Sequence, residues 1–531
     1  MESTDKPIEV LIAGAGPTGL MMACQLAIHQ IPFRIIDKKS HPSTYSGALI
    51  IHARTMEIFD QMGIAEKALQ ETILANDLSV VFNGVKKAHV SLRDIGQGLS
   101  KFPNLHLIEQ SKTEQLLIDF ILSKGRTIEW KTELKSFSKG EVPIASVVQK
   151  EGEKEEIIKS NYLVAADGGN SFVREQLKIP FIGKRHPISL FIIDCKAETD
   201  LPADEMCFSF SNYSTSGFFP LKEGRKRIDG IIPKNLEGKD RITFEDVEVK
   251  FAERLRTKIR LYNPEWFSVS HSHQRYAKVY QKTNIFLAGD AAHTFTPVGA
   301  QGMNTGIQDA YNLAWKLSFV IKQKAHPALL QSYATERIGI AKRTAHFTGL
   351  FYSLVTSPNV LIKTIRLQAL PFILNRIFVQ VEKRKKLSNS FFKALSGTGI
   401  NYRKNTLKKP SSFGSFPRHS PKPGDRFPYL VYTDKENVIN IQDRIDRINF
   451  TLFVFTDERN SFNIDAIAQK YHSILNIEEL YLSGEKKHLF DQFGIKKSGF
   501  YLVRPDMYVA YRSSAFDYNH LERYLYHYLK R

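Results

Sequence analysis

Six residues constrain this chain more than any others. GAGPTG at 14–19 follows the apolar stretch IEVLIA (8–13) and opens the helical run LMMACQLAIHQ, after which FRIID (33–37) forms a second strand pattern closing on an acid. Strand, glycine-rich turn, helix and acid-terminated strand together make the unit that binds a dinucleotide, and this context lifts a bare GxGxxG from a weak signal to a strong one. Gly14 allows the tight turn, Gly16 lets the backbone approach a pyrophosphate, Pro17 stands beside it among the cofactor contacts, and Gly19 permits close helix packing. Asp37 falls about twenty residues after the turn, where a carboxylate accepts hydrogen bonds from an adenosine ribose. By itself the unit fits NAD or FAD.

Residues Asn284–Leu317 narrow the choice. NIFLAG has the length and bulk of a buried parallel strand, so Asp290 sits at a strand's carboxyl end, on the edge where open α/β sheets hold ligands. The loop TFTPVGAQG, with Pro297 and Gly302, lets something flat lie on the backbone. From about Met303, apolar residues at Ile307, Ala310, Tyr311, Ala314 and Leu317 have helical spacing, with Asn304 and Thr305 as caps. A helix N-terminus beside such a loop suits a ligand that becomes anionic, as a reduced flavin does. YLVAADGGNSFVREQL repeats the strand-to-acid pattern at Asp167. Arg174 falls in a first helical turn, where a cation opposes the dipole, which points to a role other than stability or to a salt bridge. Arg54, in ARTMEIF, and Gln110 both stand near helix starts.

The run GDAAHTFTPVGAQGMNTGIQDAYNLAWKL resembles, almost residue by residue, the second FAD motif of the single-component flavoprotein aromatic hydroxylases, with Ala300 in place of the usual second glycine. ARTMEIF, the AADGG stretch and GFYLVRPDMYVAYR resemble further motifs of that family. The resemblance implies that Asp290 meets the ribityl chain of FAD and that Gly302, Met303 and Asn304 face the ring's pyrimidine edge. It also implies that Arg54 and Gln110 lie near the flavin, and that Asp167 and Arg174 serve both FAD and the nicotinamide donor. The implied reaction uses NADPH or NADH and O2 to hydroxylate a small aromatic substrate, phenolic or polycyclic, through a flavin C4a-hydroperoxide. Gly47 departs from the family, which commonly has a basic residue there. The same fold hosts halogenases and reductases, and a halogenase would carry WxWxIP, whereas Trp266 stands alone. A binding or sequestering flavoprotein with vestigial turnover is the alternative from another class.

The expected fold is α/β: a Rossmann-type FAD-binding domain with an inserted antiparallel β-sheet substrate domain, plus a carboxy-terminal thioredoxin-like domain. The expected boundaries are 1–179 and 277–350 for the FAD-binding domain, 180–276 for the substrate sheet, 351–426 for a basic helical region and linker, and 427–531 for the last domain. Alternating runs such as SGFFPL mark the inserted sheet, with Tyr213, Phe218, Phe219 and His273 as candidate wall residues; no catalytic side chain stands out and no metal-ligand set occurs. The last domain lacks CxxC and so cannot exchange dithiols. It is expected to be structural or dimer-forming, and a chain ending near 410 to keep FAD. Three cysteines, no apolar leader and no apolar run of about eighteen residues point to a cytoplasmic protein. Of the formal charge of +19, fourteen come from 337–409, where fifteen Lys and Arg face one acid, Glu382. The cations are spread among apolar residues without a nucleic-acid motif, which excludes tight DNA binding. A linker helix packed on the main domain is the preferred reading of 351–409, broken at Pro371, and weak peripheral membrane contact the other.

Overall fold

The computed structural model describes residues 6–44, 47–202, 204–236, 238–404, 411–434, 436–457 and 464–529. The strand Ile8–Ala13 lies between Phe33–Ile36 and Glu155–Ala165, with Ile285–Leu287 beyond the latter, and all four run parallel. Parallel strands emerge on one edge, so the glycine turn, Asp37, Asp167 and Asp290 all come out at the same end of the sheet. The helices Pro17–Ile28 and Gln301–Ile321 pack closely over it. A Cβ on Gly289 or Gly306 would come within 2.3 or 2.2 Å of Thr18 Oγ1, so both positions need a hydrogen for the two helices to meet.

The inserted sheet has eight strands in the order His293–Thr294, Ile259–Ala277, Phe181–Thr199, Arg225–Ile231, Thr215–Pro220, Glu205–Phe210, Asp77–Phe82, Val85–Ser91. It is antiparallel except where Glu205–Phe210 pairs with Asp77–Phe82. Three of these strands lie outside 180–276, because pairing between distant segments leaves no local trace in the sequence. The helix Leu370–Lys383 covers Val85–Ser91 with Leu370, Phe378 and Val381, which join Val80, Phe82, Met206 and Phe210 in one apolar cluster. Pro371 does not break this helix. A wide π turn at Ile365–Ala369 precedes it and gives the ring the room that a regular turn would deny.

The main sheet of the last domain has five strands in the order Ser412–Phe413, Val509–Ser513, Gly499–Val503, Phe450–Thr456, Leu475–Tyr481, flanked by helices. It therefore begins before 427. The proline-rich stretch read as a linker is, from 411 on, packed into it, its first residues lying outside the described ones: Phe427 is fully buried between Phe453 and Phe493, and Phe416 lies against Arg512.

Buried charges join this domain to the rest. Glu336 accepts hydrogen bonds from Lys316 Nζ (2.7 Å), Asn312 Nδ2 (2.7 Å) and both terminal nitrogens of Arg504 (2.6 and 3.0 Å). Arg504 also holds Asp506 at 2.8 Å, and Arg426 donates to Glu57 at 2.8 Å. Burial pushes the Glu336 carboxyl up, but Arg504, Lys316 and their hydrogen bonds outweigh it and hold it down at about 2.

Candidate active site

The cleft at the parallel-strand ends is built first from backbone. Gly14 has φ +104°, and a Cβ there would meet the Ala166 carbonyl oxygen at 2.3 Å, so the turn is confined to glycine. Gly16 and Gly302 have open space where a Cβ would be. Neither Pro17–Ile28 nor Gln301–Ile321 has a side-chain N-cap, which leaves their first amides for whatever fills the cleft. The longer helix begins at Gln301, earlier than its apolar spacing indicates. Pro297 leads into a tight turn, Val298–Ala300, that ends with Ala300 at φ +52°. Substituting alanine for the family's glycine thus carries strain, of order 1–2 kcal/mol.

The acids divide by their partners. Asp37 Oδ2 accepts from Ala15 N (2.7 Å) and Oδ1 from Lys39 N (2.8 Å), which fixes the turn and leaves two acceptor positions for a ribose. Asp290 is exposed and makes no hydrogen bond or ion pair among the described residues. Asp167 Oδ2 accepts from Val173 N at 3.1 Å while its Oδ1 is buried without a partner. Asp309, which the sequence reading passed over, is fully buried and holds the motif loop. It accepts from Gly289 N (3.1 Å), His293 Nε2 (2.6 Å) and Arg337 Nε (2.6 Å). The available signal was an acid within a run of buried helical residues.

Several of the expected contact residues also brace the fold. Arg54 is buried between Tyr311 and Tyr508 and donates through its terminal nitrogens to Glu57 (3.1 Å) and the Asp506 carbonyl (2.8 Å), which ties it to the last domain, while its Nε is buried without a partner. The ARTxE spacing fixes its helix but not which tertiary neighbour has the acceptor. Arg174 donates to the carbonyls of Gly169 (2.8 Å) and Ala291 (3.0 Å) and lies over Phe181, clamping two ligand loops together. The Asn304 side chain is saturated: its oxygen accepts from His52 N and Thr55 Oγ1, and its nitrogen donates to Ile50 O and Ala300 O. Only its backbone, with those of Gly302 and Met303, is left for the cleft. Gln110 Oε1 accepts from Ala48 N at 3.1 Å and so supports the loop beside Gly47. That glycine's φ lies outside the left-handed region and an added Cβ would make an ordinary 3.5 Å contact, so a turn does not demand it. Tyr45 and Ser46 lie outside the described residues.

Strand alternation separates the wall candidates. Phe218 points to the face opposite Phe219, into a cluster with Phe191 and Phe251. Tyr213 is 69% exposed on an edge loop, beneath Arg256 and Lys363. A one-residue step along a strand exchanges faces, and the sequence could not say which face was inner. Phe219, packed edge-on against Phe208, lies on the side shared with Leu49, Met206 and Phe210, and His273 is partly buried farther along the sheet. Cross-strand pairing puts Asp229 beside Gly217, whose amide it accepts at 2.7 Å, and Arg227 beside Phe219 on that same face. Arg227 forms a buried pair with Asp194 (2.6 Å) and donates to the Ala48 carbonyl (3.2 Å), linking the wall to the loop at 47–48. Burial pushes the Asp229 carboxyl above its ordinary range, against the pull of the Gly217 amide and Arg227.

These residues fit FAD. Open amides at two helix starts, an unpartnered strand-end carboxylate and a second carboxylate with spare acceptor positions match an anionic pyrophosphate, a ribityl chain and a ribose. Residues 7–348 match the model of the family described as FAD binding domain. The chain is 27% identical to 6-methylpretetramide 4-monooxygenase of Streptomyces rimosus over 94% of its own length and 90% of that protein's. It is 29% identical to pentachlorophenol 4-monooxygenase of Sphingobium chlorophenolicum, over 65% of its length and 64% of that protein's. The structure of the flavin-dependent monooxygenase PieE with FAD and substrate superposes with a TM-score of 0.78 at 21% identity, covering 98% of this chain and 99% of that one. Aklavinone-11 hydroxylase with FAD and aklavinone gives 0.77 at 20% identity, covering 98% of each chain. With more than half of its length matched by the family model, and the cleft that the motif residues build, the chain belongs to the FAD binding domain family, as an FAD-dependent protein of the aromatic-monooxygenase type.

Proposed function

We propose that the protein is an NADPH- or NADH-dependent monooxygenase that hydroxylates a polycyclic aromatic substrate. The unpartnered Asp290 carboxylate, at the strand end beside the uncapped helix Gln301–Ile321, is the observation that carries the flavin site. FAD bound there would supply the electron transfer and oxygen activation. The chain itself holds and orients. The Gly14–Gly16 turn and the start of Pro17–Ile28 receive the pyrophosphate, Asp37 the ribose, Asp290 the ribityl hydroxyls, and the backbone of 302–304 the ring edge that becomes anionic on reduction. The apolar cluster of Leu49, Met206, Phe208, Phe210 and Phe219 would exclude water from the site. Asp229, raised by burial on that face, is the group placed to take the proton of a phenolic hydroxyl, which makes the ring a better nucleophile. A polycyclic substrate is supported by the relative aligned over nearly the whole chain, whose name gives a polycyclic aromatic.

The test is nicotinamide oxidation by the purified yellow holoprotein under labelled O2, across phenols and fused-ring polyketides. Accelerated oxidation with one labelled oxygen in a fused-ring product supports the proposal. Oxidation at one ligand-independent rate, with no labelled product, overturns it. A homodimer is a further proposal that sedimentation of the holoprotein tests.

A further inference from the structure

The segment 360–395 has a surface that the rest of the described chain does not cover. The helix Leu370–Lys383 buries Leu370, Phe378 and Val381 against the substrate sheet. On the opposite side Phe372 is 69% exposed; Ile373 and Ile377, one turn apart, are each about half exposed, as is Ile365, and Leu361 and Val360 reach 71% and 77%. A helix with one buried face ordinarily turns a polar face to water, and one that is apolar nearly all round is ordinarily buried all round. This one is neither. From Val360 to Leu395 eight cations (Lys363, Arg366, Arg376, Lys383, Arg384, Lys385, Lys386 and Lys393) accompany one acid, Glu382, whose carboxylate accepts the Ser91 amide at 3.0 Å. Arg366 is turned inward to the carbonyls of Leu354, Val355 and Ser357, whereas Lys383, Arg384, Lys385 and Lys386 are all exposed.

We infer that this face docks on an anionic lipid surface, lying flat on it with Leu361, Ile365, Phe372, Ile373 and Ile377 in the headgroup–acyl boundary and the Lys383–Lys386 run among the headgroups. Charge decides between occupants. A second copy seated here by two-fold symmetry would bring the same cations against themselves with only Glu382 to offset them, whereas phosphatidylserine neutralises them. No helix among the described residues is long and apolar enough to cross a membrane, so the contact is peripheral. The same helix covers the apolar cluster that includes Phe219, the wall proposed above for the substrate.

The holoprotein is mixed with phosphatidylcholine vesicles, with or without phosphatidylserine, at low and high salt, and cosedimentation is measured. The expected result is binding that needs phosphatidylserine, weakens with salt, and falls by about tenfold or more in both Phe372→Ser/Ile377→Ser and Lys383→Glu/Lys385→Glu. Flavin absorbance shows that each variant is loaded, and turnover of a water-soluble substrate should match the unaltered protein, which separates this test from that of the reaction. The proposal is overturned if the protein does not sediment with either vesicle, or if the serine variant binds as tightly as the parent. It is equally overturned if the holoprotein sediments as a dimer that the serine variant dissociates, since the occupant is then a second copy.

Discussion

Replacing Glu336 with glutamine should loosen the carboxy-terminal domain from the flavin cleft, because it removes the negative charge to which Lys316 and Arg504 both donate while keeping the side chain's shape. Lys316 and Glu336 are fully inaccessible and Arg504 nearly so, so water cannot take over the carboxylate's part. The depression of the Glu336 carboxyl from 4.5 to about 2 corresponds to about 3 kcal/mol of folded-state preference for the charged form, at roughly 1.4 kcal/mol per unit. Removing one member of a buried ion pair costs about 3–5 kcal/mol, which agrees. The sign follows from the direction of the shift. This contribution is complete above the ordinary carboxylate range and is lost as pH falls from about 4.5 toward 2. Thermal melts followed by flavin release and by circular dichroism should therefore show Glu336→Gln melting several degrees lower at neutral pH, with the gap to the parent narrowing in acid. A chain ending at residue 410 loses Arg504, Asp506 and Arg426 together, strands Glu57 and Arg54, and should fail to retain FAD, contrary to what the domain pattern alone leads one to expect. Equal melting of parent and Glu336→Gln at neutral pH, or a truncated chain that binds FAD normally, would refute the role given to this network.

Asp290→Ala should weaken FAD binding by about 1.5–3 kcal/mol, one to two decades, for loss of a charge-assisted hydrogen bond, checked by flavin titration of the apoprotein. Asp229→Asn should abolish the acid limb of the kcat profile, which in the parent lies above the ordinary carboxylate range because burial raises this group, and it should leave flavin affinity unchanged. Ala300→Gly should raise the melting temperature by removing about 1 kcal/mol of left-handed strain, and an unchanged or lower melting point would show that the loop gains as much freedom in the unfolded chain as it sheds in strain.

How much was legible divides by the range of the interaction. The glycine turn, the three strand-end acids and the long helix are each set by neighbours within a few residues. Local rules of turn, strand and cap were enough to name Gly14, Asp37, Asp167 and Asp290, and the motif spacing was enough to name the family. What the sequence could not carry was which distant groups would meet. Arg54 and Arg174 stand in motifs, yet one reaches Asp506 across 452 positions and the other Ala291 across 117, and only folding brings those carbonyls within hydrogen-bond range. The same holds for the faces of the inserted sheet. Alternation shows that Phe218 and Phe219 point opposite ways, but only the packing of Leu370–Lys383 on Val85–Ser91 determines which side carries the apolar cluster of Phe219, and hence that Asp229 shares that side. The proline-rich stretch up to Phe427 has linker composition, but Phe427 is fully buried and Phe413 and Phe416 are partly so. Composition reports the average affinity of a segment for water, whereas burial depends on whether the fold leaves an apolar surface beside it.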